Sequence, residues 1–144
     1  MKPRRNKLCV YVHFVWATRD RLPLIQAEIE RDLYRCIVTI CQDNKCVVLA
    51  VGGMEDHIHL LVALPSTLSL AECMRHVKGG SSRFVTEMLK PGSWFAWQEN
   101  YGAFSVSAHH KDKVIAYILD QKRHHAEATL WNMAEETDEE AQPP

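Results

Sequence analysis

Two histidines, a tyrosine and a glutamine are the residues of this sequence best suited to chemistry. His57-Ile58-His59 falls in a run that reads as a β-strand. Side chains alternate between the faces of a strand, so both imidazoles project to one side and Ile58 and Leu60 to the other. Neutral imidazoles set side by side can share a divalent metal, and the adjacent Asp56 can orient one ring by accepting its second N–H. Spacing alone leaves a plainer reading open, in which the pair is solvent-facing polarity on a half-exposed strand.

Tyr117 is placed by a helical wheel at 100° per residue with Ile115 at the origin. The apolar positions Val114, Ile118 and Leu119 then centre near about 330°, Tyr117 lies at about 200° and Gln121 at about 240°. Lys113 and His124 share that polar side. A tyrosine off the apolar stripe is either a snorkelling surface ring or a phenol nucleophile that forms a covalent phosphodiester and keeps its energy for rejoining. With an ordinary pKa of about 10, the phenol needs a cation or base nearby, and a metal, Lys113 or His124 can serve. Gln121, one turn on, offers an amide oxygen to complete a metal site.

The elements that must position these residues follow from periodicity. Residues 8–17 are rich in Val, Tyr, Phe and Trp and read as a buried strand. From about Gln26 to Gln42, Ile29, Leu33, Cys36, Ile37 and Ile40 mark an amphipathic helix. Two antiparallel strands follow, Cys46 to Val51 and Asp56 to Leu64, with Gly52-Gly53 read as an interruption between them. Ser69 caps a second helix that continues to Lys90-Pro91-Gly92. A short strand at Phe104 to Ser107 and a last helix from about Lys111 to Ala128 complete the order. That order fits an α+β, ferredoxin-like (RRM-like) antiparallel sheet packed by two helices, with a C-terminal helix carrying the tyrosine.

At 144 residues the chain makes one domain, large enough to bury roughly 68–70% of its unfolded surface. Five cysteines without a C-x-x-C pair suit neither a disulfide framework nor a zinc knuckle, and read as buried apolar residues of a reducing cytoplasm. Residues 1–7 are a basic N-terminal segment, residues 8–131 the domain, and residues 132–144 an acidic tail expected to lack fixed structure. Taking the tail's five carboxylates from 18 leaves 13 against 17 Lys and Arg, so the body is mildly basic despite a formal net charge of -1. Such a body suits phosphate binding without requiring it. No run is long and apolar enough for a signal peptide or membrane span, and a cytoplasmic location is expected.

Several segments in order resemble the HUH-type single-tyrosine transposases of the smallest insertion sequences, with their repeat-associated relatives. They are Val15-Trp16-Ala17-Thr18-Arg19, the run from Met54 to Val62 around the histidines, Lys78-Gly79-Gly80-Ser81-Ser82, Trp97-Gln98, and Tyr117-Ile118-Leu119-Asp120-Gln121. The resemblance spans roughly residues 9–126. It implies a homodimer in which His57, His59 and Gln121 bind Mg2+ or Mn2+, and Tyr117 attacks hairpin-bearing single-stranded DNA to leave a 5′-phosphotyrosine and a free 3′-hydroxyl.

Gly79-Gly80 inside a helix costs about 1 kcal/mol per glycine relative to alanine, so something should compensate. Close helix packing is one explanation. The other, which the resemblance supports, is approach of a DNA backbone, with Lys78, Arg83, Ser81 and Ser82 contacting phosphates. Arg19 and Arg21 are further phosphate candidates, as are Arg4 and Arg5. Two other functions remain open: a hairpin DNA- or RNA-binding module that no longer cleaves, and an unrelated metal hydrolase using the histidines alone.

Overall fold

The computed structural model describes residues 6–127, 130–131 and 135–137. Its centre is an antiparallel sheet of four strands, β1 (Tyr11–Ala17), β2 (Val47–Met54), β3 (His57–Ala63) and β4 (Gly102–Val106), in the order β2-β3-β1-β4. Helices α1 (Ala27–Asp43) and α2 (Leu70–Phe84) are the crossovers, and they pack together on one face. This is the ferredoxin-like arrangement expected from the element order. Helices α3 (Lys111–Leu119) and α4 (Gln121–Ala126) follow β4, and α3 packs against β2 and β3.

The pleat sorts side chains into two cores. Val12, Phe14 and Trp16 of β1 and Ile58, Leu60 and Val62 of β3 bury one face under α1, whose Ile29, Leu33, Ile37 and Cys41 recur every four residues as one stripe. Ser69 caps α2 by accepting the Glu72 N–H at 3.1 Å. The other face holds a smaller cluster of Ala50, Leu61, Val114 and Ile118, and the same face carries both histidines. Cys41, Cys46 and Cys73 are buried as expected, Cys36 is half-buried and Cys9 is exposed.

Gly52-Gly53 does not interrupt the sheet; both residues lie inside β2, and the turn falls at residues 55–56. The reason is the approach of α3: a Cβ on Gly52 would stand 2.3 Å from the Ile118 carbonyl oxygen. Gly52→Ala is therefore expected to push α3 off the sheet. The cost should be roughly 1–3 kcal/mol, seen as a fall of roughly 3–10 °C in thermal midpoint. Gly79→Ala is the control, since nothing lies within 4 Å of its Cβ position. That change should be neutral or mildly stabilising.

The last strand begins at Gly102 rather than Phe104, and the expected single terminal helix is broken at Asp120 into α3 and α4. The acidic tail was expected to lack fixed structure, yet Glu135, Glu136 and Thr137 pack against the body, with Thr137 buried. Its remaining residues, with Arg4 and Arg5, lie outside the described residues.

Candidate metal and tyrosine site

On the β3 face towards α3, His57 and His59 are both buried, with ring centroids 5.1 Å apart. Each ring is held by its Nδ1. Asp56 Oδ1 lies 2.7 Å from Nδ1 of His57, as the sequence reading anticipated, and Nε2 of His13 lies 2.9 Å from Nδ1 of His59. The two Nε2 atoms are thereby left to face a common point.

Two glycines flank this row of the sheet, where Gly52 pairs with His59, His59 with Val15, and Val15 with Gly102. Gly52 admits the α3 backbone. Gly102 admits the tail, because a Cβ there would meet the Glu136 carbonyl oxygen at 2.3 Å. The Gln98 side chain joins strand and tail: its Oε1 accepts the Ala17 N–H at 2.8 Å, and its Nε2 donates to the Thr137 carbonyl at 3.4 Å.

Helix α3 brings Tyr117 to the histidines of its own chain, and its phenol donates a short hydrogen bond to Glu135. Tyr117 is not on an exposed polar face. The buried residues Val114, Tyr117, Ile118 and Gln121 define the inner side, centred near about 230–260° on the same wheel. Leu119, counted with the core by its apolarity, is 66% exposed. Trp131 covers Tyr117 from outside, stacked at 4.2 Å and 5° between planes, and its N–H donates to the phenol oxygen at 3.2 Å.

Gln121 Nε2 donates to the Tyr117 carbonyl, which leaves Oε1 at 3.4 Å from His57 Nε2 and 3.1 Å from His125 Nε2. The Glu135 carboxylate spans the centre, 3.2 Å from His57 Nε2 and 3.1 Å from His59 Nε2. Donor atoms of His57, His59 and Glu135 all lie within 4.8 Å of one another. Spacings near 3 Å are those of neighbouring ligands around an ion bound at about 2.1 Å, so this donor set fits a divalent metal.

Burial penalises the charge on His57, but hydrogen bonds to Glu135 and Asp56 outweigh it and raise its pKa. Burial dominates at His59 and lowers it, and burial with the neighbouring His59 takes His13 down to about 3. Burial would also raise Glu135, yet hydrogen bonds from His57 and His59 hold its carboxyl well below the usual range. Tyr117 is pushed up to about 12, first by burial and then by its bond to Glu135. Burial and the Glu135 carboxylate together favour the protonated phenol.

The Glu135 shift has a signed consequence. A carboxyl depressed in the folded state contributes stability that is complete above its ordinary value of 4.5 and is lost as pH falls through the depressed value. Denaturant titrations below pH 4.5 should show wild type losing an increment of stability that a Glu135→Gln variant never had. Parallel pH profiles for the two proteins would contradict this.

The chain is similar to known proteins in sequence and in fold. Residues 7–121 match the family model described as "Transposase IS200 like". The chain belongs to the IS200-like transposase family. It is 26% identical over 114 residues to the ISDra2 transposase TnpA of Deinococcus radiodurans, covering 76% of this chain and 81% of that one. It is 28% identical over 81 residues to the IS200 transposase of Salmonella typhimurium, covering 56% of this chain and 53% of its relative. Among solved structures, a candidate transposase of Deinococcus radiodurans R1 superposes with a TM-score of 0.64 at 26% identity, over 84% of this chain and 98% of that one. A REP-associated tyrosine transposase bound to a REP hairpin gives 0.63 at 17% identity, over 87% and 74%.

In this IS200-like transposase, His57, His59, Tyr117 and Gln121 are brought together, whereas the Lys78–Arg83 segment lies in the opposite helical layer. Ser81 is fully buried; it accepts the Trp97 indole N–H at 2.9 Å and donates to the Lys78 carbonyl. Its role is internal packing, which corrects its assignment to DNA. Gly80 likewise serves close packing, since a Cβ there would meet Ile40 Cδ1 at 2.7 Å. Lys78 donates to the Glu99 and Asn100 carbonyls, Ser82 to the Gly79 carbonyl, and Arg83 pairs with Glu87. Arg21 stands at the histidine site, 3.8 Å from Asp56, and Arg19 is exposed beside it.

Sequence reasoning missed His13, His125, Trp131 and Glu135. The fourfold spacing of Tyr117, Gln121 and His125 was the available signal for His125.

Proposed function

We propose that this transposase cleaves and rejoins single-stranded DNA through a 5′-phosphotyrosine intermediate on Tyr117, at a centre where His57, His59 and Gln121 hold Mg2+ or Mn2+. The observation that carries the reading is convergence: the phenol of Tyr117 and the two imidazole Nε2 atoms all meet one carboxylate. An anionic group already sits where a scissile phosphate would have to sit.

Attack by the Tyr117 oxygen makes an O–P bond and breaks the bond to the 3′-oxygen; the phenol releases its proton to solvent and the departing 3′-oxygen takes one up, leaving as a hydroxyl able to reverse the step on another end. The divalent ion, when bound, stabilises charge on the non-bridging and leaving oxygens. Buried Asp56-oriented His57 and His13-oriented His59 fix its position. Gln121, buried and on the same run as Tyr117, is the third ligand. Glu135 is the group displaced, because a phosphorus within reacting reach of the phenol, about 3–3.5 Å, needs the space its carboxylate fills.

Residues 8–131 form the transposase domain of a cytoplasmic homodimer in this reading. Arg19 and Arg21 are placed to meet the DNA backbone, and Lys78, Ser82 and Arg83 serve a more distant stretch of it. The hairpin in the related REP-associated structure supports hairpin-bearing ends as substrate. Among the described residues, no helix is long and apolar enough to cross a membrane.

A second reading, a hairpin-binding module without cleavage, is favoured by one observation, the Glu135 carboxylate across the nucleophile. Manganese titrations separate the assignments. Gln121→Ala should weaken Mn2+ binding on the order of 10-fold or more, while Glu135→Ala should leave it intact. The reverse pattern would move the third ligand to Glu135.

A further inference from the structure

We infer that His13 is a positioning residue that sets which nitrogen of His59 faces the reacting centre, an inference resting on the reading of His59 as a metal ligand. His13 lies on the inner strand β1 opposite Leu61, on the same face as His59 and diagonal to it across the β1–β3 pair. It is 2% exposed, His59 is fully buried, and their Nε2 and Nδ1 atoms are 2.9 Å apart.

Two neutral imidazoles joined in this way share one proton, so one ring donates and the other accepts. With the Glu135 carboxylate at His59 Nε2, that nitrogen carries a hydrogen. Nδ1 of His59 is then the acceptor and Nε2 of His13 the donor. A metal ligand needs the opposite state, because its Nε2 must present a lone pair and the hydrogen must sit on Nδ1. His13 must then accept at Nε2 and carry its own hydrogen on Nδ1.

The change balances. One proton crosses the shared bond from His13 to His59, one leaves His59 Nε2 to solvent, and one is taken up at His13 Nδ1. Both rings stay neutral throughout. Only a side chain that can both donate and accept permits this. His57 is wired differently, since the Asp56 carboxylate only accepts and keeps a hydrogen on Nδ1 whatever faces Nε2. His57 therefore gives up only its Nε2 hydrogen, the one facing Glu135, to become a ligand, whereas His59 must also exchange a proton with His13.

Nitrogen-resolved NMR of the imidazoles in the full chain tests this, metal-free and with Mg2+. A through-hydrogen-bond N–N coupling between His13 and His59 is expected, with the proton on His13 Nε2 without metal and on His59 Nδ1 with it. His13→Leu should mix the His59 tautomers and weaken Mn2+ binding on the order of 10–100-fold, and His13→Gln, which can donate and accept, should restore most of the affinity. Absence of the coupling overturns the assignment, as does one unchanged tautomer and affinity in His13→Leu. Should His13→Leu fail to fold, the wild-type coupling and its proton position decide. Should wild type bind neither ion, the metal reading fails by itself, and the metal-free spectrum still decides for or against His13.

Discussion

Replacing Tyr117 by phenylalanine is expected to abolish covalent capture of single-stranded DNA, a loss on the order of 10⁴-fold or more in cleavage rate. The ring is buried, stacked on Trp131 and edge-on to His59, and phenylalanine keeps all of that contact. What disappears is one oxygen. Among the described residues, the folded state loses the phenol's hydrogen bonds with Glu135, Gln121 and the Trp131 backbone N–H, so thermal stability should change by about 1–3 kcal/mol. A variant that folds, binds Mn2+ as wild type does and forms no adduct separates chemistry from structure. A Tyr117→Phe protein that cleaves normally would favour a hydrolase using the histidines alone.

Glu135→Ala is expected to act in the opposite direction. The carboxylate receives hydrogen bonds from His57, His59 and Tyr117 at once, and any phosphate reaching the phenol must displace it. Charge-assisted bonds contribute about 1.5–3 kcal/mol each, so removing even one net competitor should raise adduct formation by roughly 10–100-fold at limiting DNA. Tyr117 should also titrate lower, since its bond to Glu135 helps to push its pKa up to about 12. Single-turnover rates over a range of DNA concentrations check this. A fall in rate with unchanged DNA affinity would instead make Glu135 a working part of the centre.

Much of this was legible in the sequence, for definable reasons. Strand alternation and the fourfold stripe of α1 depend on local spacing, and they led directly to the ferredoxin-like order. The histidine pair was legible for the same reason, since an i, i+2 spacing on a strand fixes a shared face. Gly52 was misread because its purpose is a helix backbone arriving from 66 residues further on. Tyr117 was placed on the wrong side because apolarity stood in for burial. Leu119 and Ile115 drew the stripe outward, whereas the inner side of α3 takes a tyrosine to reach the histidines.

The rest of the site has no local signature. His13 reaches His59 across a separation of 46 residues and one diagonal of strand register, which no pattern in either strand encodes. Glu135 sits in an acidic run without periodicity, and the residues that follow it, Glu136 and Thr137, meet Gly102 and Gln98 far from them in sequence. Composition assigned that run to solvent. Three-dimensional packing brings one of its carboxylates against His57, His59 and Tyr117.

In the proposed reaction Tyr117 becomes covalently joined to the 5′-phosphate of a cleaved strand. The most direct test is peptide mapping by mass spectrometry, after wild-type protein has been incubated with Mn2+ and a hairpin-bearing single strand and the adduct trimmed by nuclease. A nucleotide phosphodiester is expected on the peptide containing Tyr117, with a free 3′-hydroxyl on the released fragment. Cleavage with no modified tyrosine, or a phosphodiester on any other residue, would contradict it.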